Sequence, residues 1–212
     1  MAVDYDALRE RMVRTQIEAR GIASPRVLAA MRKVPRHVFV PSRYLGRAYD
    51  DTPLPIGREQ TISQPYIVAL MTEAASIEPD DRLLEVGTGC GYQAAILAEL
   101  GRELMTIERI AELAGEATDR LMTLGHDNAK VCCGDGYLGL PDDAPFDAIV
   151  VTCAATEVPA PLVDQLSQGA KLVVPVGPID RTQVLVVVEK RADGSLVENN
   201  LGAVRFVPLL RS

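Results

Sequence analysis

The stretch from Arg82 to Tyr92 reads Arg-Leu-Leu-Glu-Val-Gly-Thr-Gly-Cys-Gly-Tyr, and it decides the fold. Its first five residues are typical of a short strand, and the alternating glycines Gly87, Gly89 and Gly91 indicate a sharp turn into a helix. Glycines allow positive φ angles and close approach of the backbone to a ligand. The stretch therefore predicts a strand, a turn and a helix, in which the turn either binds a ligand or is purely structural.

After this stretch, short apolar runs alternate with segments of helical periodicity, as expected for repeated β-α-β units. Strands are predicted over 82–86, 103–107, 129–133, 147–152, 171–175, 183–190 and 197–207, with helices over 93–100, 110–124 and 161–166. The turn signal Ala192 to Ser195 joins the last two strands as a hairpin. We expect an α/β fold with a mostly parallel, doubly wound sheet that ends in an antiparallel hairpin.

Before the sheet, the sequence predicts a helical extension. Leu8 to Ile17 has apolar residues at helical spacing, Ser24-Pro25 is typical of a helix start, and Pro65 opens another helix. Residues 35–60 are rich in proline and predict a long ordered loop or short strands. At 212 residues the chain is too short for two full domains. We predict a single domain over 1–212, with an N-terminal extension (1–76) and an α/β core (80–212).

Composition excludes several classes of protein. The net charge of −7 opposes bulk binding of nucleic acid, and Tyr 6, Phe 3 and no Trp provide few stacking platforms. No apolar run reaches the ~20 residues of a membrane span, and the first residues lack the pattern of a secretory signal. The expected protein is cytoplasmic and monomeric and does not bind membranes or nucleic acid.

The four cysteines and two histidines lack the spacing of a metal site, so no metal is expected. We predict free, buried thiols. Cys153 follows a predicted strand, but no catalytic motif surrounds it, so packing is its expected role. His37 is also expected to be structural.

Two acidic residues follow the next two predicted strands. Glu108 lies about 20 residues beyond the glycine turn, where a carboxylate can accept the hydroxyls of a ribose, although alone it could be a surface charge that opens a helix. Asp135, between Gly134 and Gly136, could accept from an adenine amine or form a simple Asp-Gly turn. The nicotinamide fingerprint is broken because Tyr92 occupies its last glycine position. A nucleoside-shaped ligand without a pyrophosphate fits these features together.

Motifs spread over nearly the whole chain resemble the protein-L-isoaspartate O-methyltransferase family. Thr61 to Pro65 (Thr-Ile-Ser-Gln-Pro) is far more specific to that family than the glycine loop, which many class I methyltransferases share. The segments that carry the resemblance are 57–66, 85–95, 146–152 with 158–159, 172–177 and 204–209. The resemblance implies a Rossmann-like class I fold that depends on S-adenosylmethionine and releases S-adenosyl-L-homocysteine.

The family's reaction methylates the free carboxylate of L-isoaspartyl residues, and more weakly that of D-aspartyl residues, in damaged proteins. The ester then closes to a succinimide, which begins repair. Matching positions assign a catalytic role to Ser63, as a hydrogen-bond donor to the substrate carboxylate, although a serine before Pro65 is also ordinary helix-entry chemistry. The matched cofactor positions are Glu85, Gly87, Gly89, Gly91, Glu108, Asp135 and Gly136. The expected peptide contacts are Thr61, Ile62, Phe206 and Val207, although the last two could belong to an ordinary terminal strand.

Three alternatives remain open on sequence grounds. The first is another class I methyltransferase that acts on a different peptide or a small molecule. The second is a nicotinamide oxidoreductase, opposed by Tyr92. The third is a non-catalytic nucleoside-binding or RNA-binding module, opposed by the acidic net charge.

Overall fold

The predicted strands lie side by side in the computed structural model, which describes residues 3–179 and 181–210. In chain order the helices are α1 Tyr5–Met12, α2 Pro25–Lys33, α3 Pro65–Ala75, α4 Tyr92–Ala98, α5 Ala111–Thr123 and α6 Ala160–Asp164. The strands are β1 Leu54–Gly57, β2 Gln60–Ile62, β3 Arg82–Val86, β4 Glu103–Glu108, β5 Ala129–Cys133, β6 Phe146–Val151, β7 Leu166–Val176, β8 Gln183–Lys190 and β9 Leu196–Val204.

Within the described residues, β3 to β9 form a seven-stranded sheet in the order β5-β4-β3-β6-β7-β8-β9. The pairs from β5 to β7 are parallel, whereas β8 is antiparallel to both β7 and β9. After β3 the chain builds outward through β4 and β5, and then returns to place β6 on the other side of β3. The strand order therefore reverses at β3, and in open α/β sheets ligands bind beyond the strand ends at such a point.

Both faces of the central strands are covered. Leu83 and Leu84 are neighbours in β3 but belong to different hydrophobic clusters, because successive side chains of a strand point to opposite faces. The cluster on one face includes Met12, Met31 and Leu97 from α1, α2 and α4. This explains why β6 is almost continuously apolar.

The extension follows its sequence signals closely. Beyond α1 the chain continues through a π-helical turn, Val13–Ile17, and a 3₁₀ turn, and it stops at Gly21 with φ of 96°. Ser24 caps α2 by accepting from the amide of Val27 at 3.4 Å. The predicted loop before residue 60 contains 3₁₀ turns and the antiparallel β1–β2 hairpin. Extension and core share one hydrophobic cluster, and their division at about residue 80 stays a prediction.

Two strand boundaries differ from the sequence prediction by more than one residue, and the ends of β4 and β6 and the other ends of β7 and β9 differ by one at most. β7 begins at Leu166 rather than at residue 171, because its first residues extend the pairing with β6. β9 ends at Val204 rather than at residue 207, and the amide of Phe206 donates instead to Oε1 of the buried Gln183 at 2.9 Å. The chain leaves the sheet there and turns toward the ends of the central strands.

The cysteines are free within the described chain, as predicted, but not all are buried. Cys90 and Cys153 are buried, whereas Cys132 is half-buried and Cys133 is exposed because β5 is an edge strand. Across residues 3–179 and 181–210, no helix has the length and apolar character to span a membrane. The same residues hold no cluster of metal-ligating side chains.

Candidate active site

Two pockets open where the central strands end. The first, which we call the glycine pocket, has about 840 Å³ of empty space, including the solvent at its open mouth, and is lined by the turn after β3, the end of β4 and the residues after β6. The second, the C-terminal pocket, has about 860 Å³ by the same measure and is lined by the segment 203–207 and the start of α3. The two pockets share Thr61, Ser63, Thr152 and Val207. They therefore meet along one wall.

The turn after β3 takes the backbone shape that its glycines predict. Gly87, Gly89 and Gly91 have φ of 96°, 53° and 88°. A Cβ at Gly87 would lie 2.5 Å from the Thr152 hydroxyl oxygen, so there is no room for a side chain. The positive φ of Gly87 also disfavours any other residue there. Gly87 and Gly89 line the glycine pocket, whereas Gly91 precedes α4 and packs toward α5. The glycines let the backbone itself form the pocket wall.

Glu108 ends β4 with its carboxylate inside the site. Its Oε2 accepts from the amide of Gly89 at 2.8 Å and its Oε1 accepts from the amide of Ile110 at 2.9 Å. The residue is 7% exposed, so the interpretation of a surface charge is wrong. Two amide bonds leave other lone pairs of the carboxylate available, since two oxygens offer about four acceptor positions. The carboxylate can therefore hold the loop and accept from a ligand.

Glu85 lies behind the pocket wall rather than on it. Its side chain is fully buried in β3, where Oε2 accepts from the Thr106 hydroxyl at 2.5 Å and Oε1 has no partner among the described residues. The Thr106 hydroxyl also lies 2.6 Å from that of Thr88 in the glycine loop. Burial raises the pKa of Glu85 to about 8, against the opposing effect of the Thr106 bond. Its contact with the loop is through two threonines, and a direct cofactor contact stays a prediction.

Asp135 and Gly136 follow β5 at the rim of the site. Asp135 Oδ1 accepts from the amide of Tyr137 at 3.0 Å, which is the geometry of an Asp turn. Gly136 is buried and lines the glycine pocket, and a Cβ there would lie 2.5 Å from Val86 Cγ1. The described wall of that pocket includes Gly136 but not Asp135. An adenine contact for Asp135 stays a prediction.

Ser63 stands on the wall that the two pockets share. It follows β2 directly and precedes Gln64, the N-cap position of α3, which makes no side-chain capping bond. Gln64 Nε2 instead donates to the carbonyl oxygen of Asp51 at 3.2 Å. Because α3 begins without a side-chain capping bond from its N-cap residue, the helix-entry interpretation of Ser63 receives no support. Its position lets the Ser63 side chain reach a molecule in either pocket.

The predicted peptide-contact residues surround the same wall. Thr61 lines both pockets, and Ile62 lines the glycine pocket. Val207 also lines both pockets, and its carbonyl accepts from the amide of Ala154 at 2.8 Å. Phe206 lines only the C-terminal pocket. The segment is thus attached beside β6 rather than inside the β8–β9 hairpin, so the interpretation of an ordinary terminal strand is wrong.

Thr152 is a site residue that the sequence analysis missed. Its hydroxyl lies 2.6 Å from the carbonyl oxygen of Gly87 and 3.1 Å from that of Val86, and donates to them. It directly follows β6, a neighbour of β3, so applying the rule of strand ends to β6 as well would have identified it. Thr152 fixes the carbonyl groups at which the glycine turn begins.

Cys90, Cys153 and His37 are not in environments that favour catalysis. Cys153 and Cys90 line the glycine pocket, and burial raises the pKa of both thiols, which disfavours the nucleophilic thiolate. His37 lies outside both pockets, stacked on Tyr5 at 3.9 Å between ring centroids and 2.8 Å from the Tyr49 hydroxyl. Its surroundings agree with a structural role.

Known proteins of one family are similar to this chain over nearly its whole length. The family model described as Protein-L-isoaspartate(D-aspartate) O-methyltransferase (PCMT) matches residues 7–212. A protein-L-isoaspartate O-methyltransferase 1 of Nitrosospira multiformis is 54% identical over 210 residues, which cover 98% of this chain and 89% of that protein.

Two solved structures share the fold. A protein-L-isoaspartate O-methyltransferase aligns with a TM-score of 0.85 and 31% identity over 94% of this chain, which spans 65% of that longer chain. A structure from Plasmodium falciparum, described as a putative enzyme of this kind in complex with S-adenosyl-L-homocysteine, aligns with a TM-score of 0.83 and 26% identity over 100% of both chains. The similarity therefore extends through the extension as well as the sheet.

Glu85 gives the fold a measurable pH dependence. Its pKa is about 8 in the folded chain against an ordinary 4.5, so between these values the folded state binds the proton that the unfolded state has lost. As the pH rises from 4.5 to about 8, the free energy of unfolding should therefore fall by up to about 1.4 kcal/mol per pH unit. The stabilisation from the Glu85 proton is complete below pH 4.5 and is lost as the pH passes about 8. Glu85→Gln should remove this component, measured by urea unfolding at several pH values from 5 to 9.

The matched control is Glu116→Gln, which removes an exposed carboxylate on α5 and should keep the wild-type slope. If the free energy of unfolding changes with pH in the same way in the wild type and in Glu85→Gln, Glu85 does not keep its proton above its ordinary pKa.

Proposed function

The chain belongs to the protein-L-isoaspartate(D-aspartate) O-methyltransferase family, and we propose that it methylates the free carboxylate of L-isoaspartyl residues in damaged proteins. The observation that carries this proposal is the shared wall at Ser63, along which the glycine pocket meets the C-terminal pocket. A methyl donor in one and a peptide in the other would meet at that wall.

The glycine pocket fits S-adenosylmethionine by the chemistry of its donors and acceptors. The glycine loop brings backbone close to a ligand, and the Glu108 carboxylate keeps acceptor positions for a ribose diol. Ile107 and Ile110 add apolar surface to the wall for a purine ring. When bound, S-adenosylmethionine supplies an electrophilic methyl group on a sulfonium sulfur.

The nucleophile is the substrate carboxylate, which is ionised at pH 7 without help from a base. The shared wall accordingly provides hydroxyl groups and not a histidine or lysine. Ser63 donates a hydrogen bond to one carboxylate oxygen and leaves the other aimed toward the glycine pocket. Val207 and the neighbouring backbone hold the peptide, so that the carboxylate and the methyl group are aligned. The ester that forms can then close to the succinimide, as the backbone amide nitrogen attacks the ester carbonyl and methanol leaves, without further help from the protein.

We further propose that the chain works in the cytoplasm as a monomer on peptides and proteins, without nucleic acid or membrane partners. The alternative is a class I methyltransferase that uses the same glycine pocket for another peptide or a small molecule. The two differ only in what occupies the C-terminal pocket, so a substrate comparison separates them.

The proposed function predicts strict discrimination between two linkages. Paired peptides that differ only in an L-isoaspartyl or L-aspartyl residue are incubated with methyl-labelled S-adenosylmethionine, and base-labile methanol is counted. Label should appear with the isoaspartyl peptide alone. Label in neither peptide, together with measurable binding of S-adenosylmethionine, would favour the alternative substrate class.

Ser63→Ala should lower kcat on the isoaspartyl peptide by roughly 10- to 1000-fold, by analogy with loss of one donor in an active site. The reason is that the carboxylate loses its orienting hydrogen bond at the shared wall. Ser42→Ala, which removes an exposed hydroxyl from a 3₁₀ turn of the extension, is the control and should keep wild-type turnover. Unchanged kcat in Ser63→Ala would remove Ser63 from the reaction.

Glu108→Ala should weaken S-adenosylmethionine binding by about 1.5–3 kcal/mol in calorimetry, because ligand hydroxyls and two loop amides lose a charged acceptor. Glu103→Ala removes a carboxylate from the opposite end of the same strand and should leave the affinity unchanged. Equal affinities for Glu108→Ala and the wild type would contradict the assignment of Glu108 to the ribose.

A further inference from the structure

Arg205 is the charged residue among the described residues that line the C-terminal pocket. The other side chains on that wall are apolar or carry neutral hydroxyl or amide groups, such as Thr61, Thr182 and Gln64. Since the whole chain has a net charge of −7, a cation here opposes the sign of the overall field. The wall thus combines neutral hydrogen-bonding groups with one positive charge.

The positive charge of Arg205 is not neutralised within the described chain. Its side chain is exposed and forms no ion pair with residues 3–179 or 181–210. By contrast, Asp51, whose carbonyl holds the pocket residue Gln64, has its carboxylate paired with Arg20 at 3.0 Å. The Asp51 carboxylate is therefore already engaged, and Arg205, which has no ion-pair partner among the described residues, remains available to a ligand.

The backbone on both sides of Arg205 is fixed. Val204 is paired with Gln183 in the sheet, and the amide of Phe206 donates to Gln183 Oε1 at 2.9 Å. Further on, the carbonyl of Val207 is held by the amide of Ala154 at 2.8 Å. The long side chain consequently starts from a rigid point beside the pocket while its guanidinium stays in solvent.

We propose that Arg205 determines substrate preference by attracting acidic side chains that flank the isoaspartyl residue. This inference rests on the proposed function, since it assigns the C-terminal pocket to the peptide. At an ionic strength of roughly 0.1 M the screening length is about 10 Å, and an extended peptide advances about 3.3 Å per residue. The preference should therefore cover about three residues around the isoaspartyl residue and vanish for more distant charges.

The size of the effect follows from the exposure of the guanidinium. Exposed ion pairs contribute at most about 1 kcal/mol, so an acidic flank should raise kcat/KM by about two- to fivefold over a neutral flank. A role on the reacting carboxylate itself would instead affect every isoaspartyl peptide equally. Comparing flanks on one enzyme separates these two roles.

The experiment uses the full chain, methyl-labelled S-adenosylmethionine and a set of isoaspartyl peptides. Glutamate, glutamine or lysine stands two residues before or after the isoaspartyl residue, and a further peptide carries glutamate about six residues away. The wild type should prefer the near glutamate on at least one side and lose that preference in about 1 M salt, where screening falls to about 3 Å. Arg205→Gln should abolish the preference, and Arg205→Glu should turn it toward lysine.

The matched control is Arg102→Gln, which makes the same change of charge at an exposed site before β4, at the opposite end of the strands, and should keep the wild-type preference. A flank preference that survives Arg205→Gln, or an equal loss of kcat/KM on every peptide, would overturn the proposal while leaving the methyltransferase function intact. Absence of methylation on the neutral isoaspartyl peptide by the wild type would instead reject the proposed function. Thermal unfolding of each variant checks that the fold is kept.

Discussion

The two hydrogen bonds to the Glu108 carboxylate are the interaction on which the glycine pocket depends. A loop with positive φ at three glycines cannot pair all its amides in a helix or a strand, so acceptors must come from elsewhere. Glu108 accepts from Gly89 in that loop and from Ile110 at the start of α5. Two successive strand-to-helix connections are thereby fixed around one side chain. The pocket has its shape because parallel pairing brings the end of β4 beside the end of β3.

The two carboxylates near this loop, Glu108 and Glu85, have different environments and therefore different roles. Glu108 is held by backbone amides, whereas Glu85 is surrounded by apolar residues of the sheet and bonded by one hydroxyl. With its pKa raised to about 8, Glu85 is mostly uncharged at pH 7. The strand that begins the loop consequently adds little negative charge beneath the pocket. Environment rather than residue type separates the two, as in other pairs of acidic groups in enzymes.

Features of the fold and site that depend on adjacent residues could be predicted from the sequence, whereas those that depend on contacts between distant residues could not. β3, β5 and β8 have the predicted bounds, because Gly87, Gly134 and Arg191 directly follow these three strands. The loop before residue 60 has no periodicity, and its turns and hairpin depend on contacts with distant helices, so only its existence was predictable. The location of Glu85 behind the wall was missed because alternation in a strand covered on both faces does not reveal which face meets the ligand. The strand-end rule could have identified the position of Thr152, but not its bonds to Val86 and Gly87, which are 66 and 65 residues away in the chain.

The distribution of charge around the shared wall is suited to a reaction in which charges disappear. An anionic carboxylate and a cationic sulfonium become a neutral ester and a neutral thioether, so a strong cation beside the carboxylate would stabilise the reactants more than the transition state. The wall instead offers the hydroxyl of Ser63, which can orient an anion without neutralising it, whereas the Thr152 hydroxyl already donates to backbone carbonyls. Arg205 lines the C-terminal pocket but not the glycine pocket. From there it can attract acidic residues that flank the isoaspartyl residue of a peptide. A site for this chemistry therefore benefits from placing its cation away from the reacting atoms.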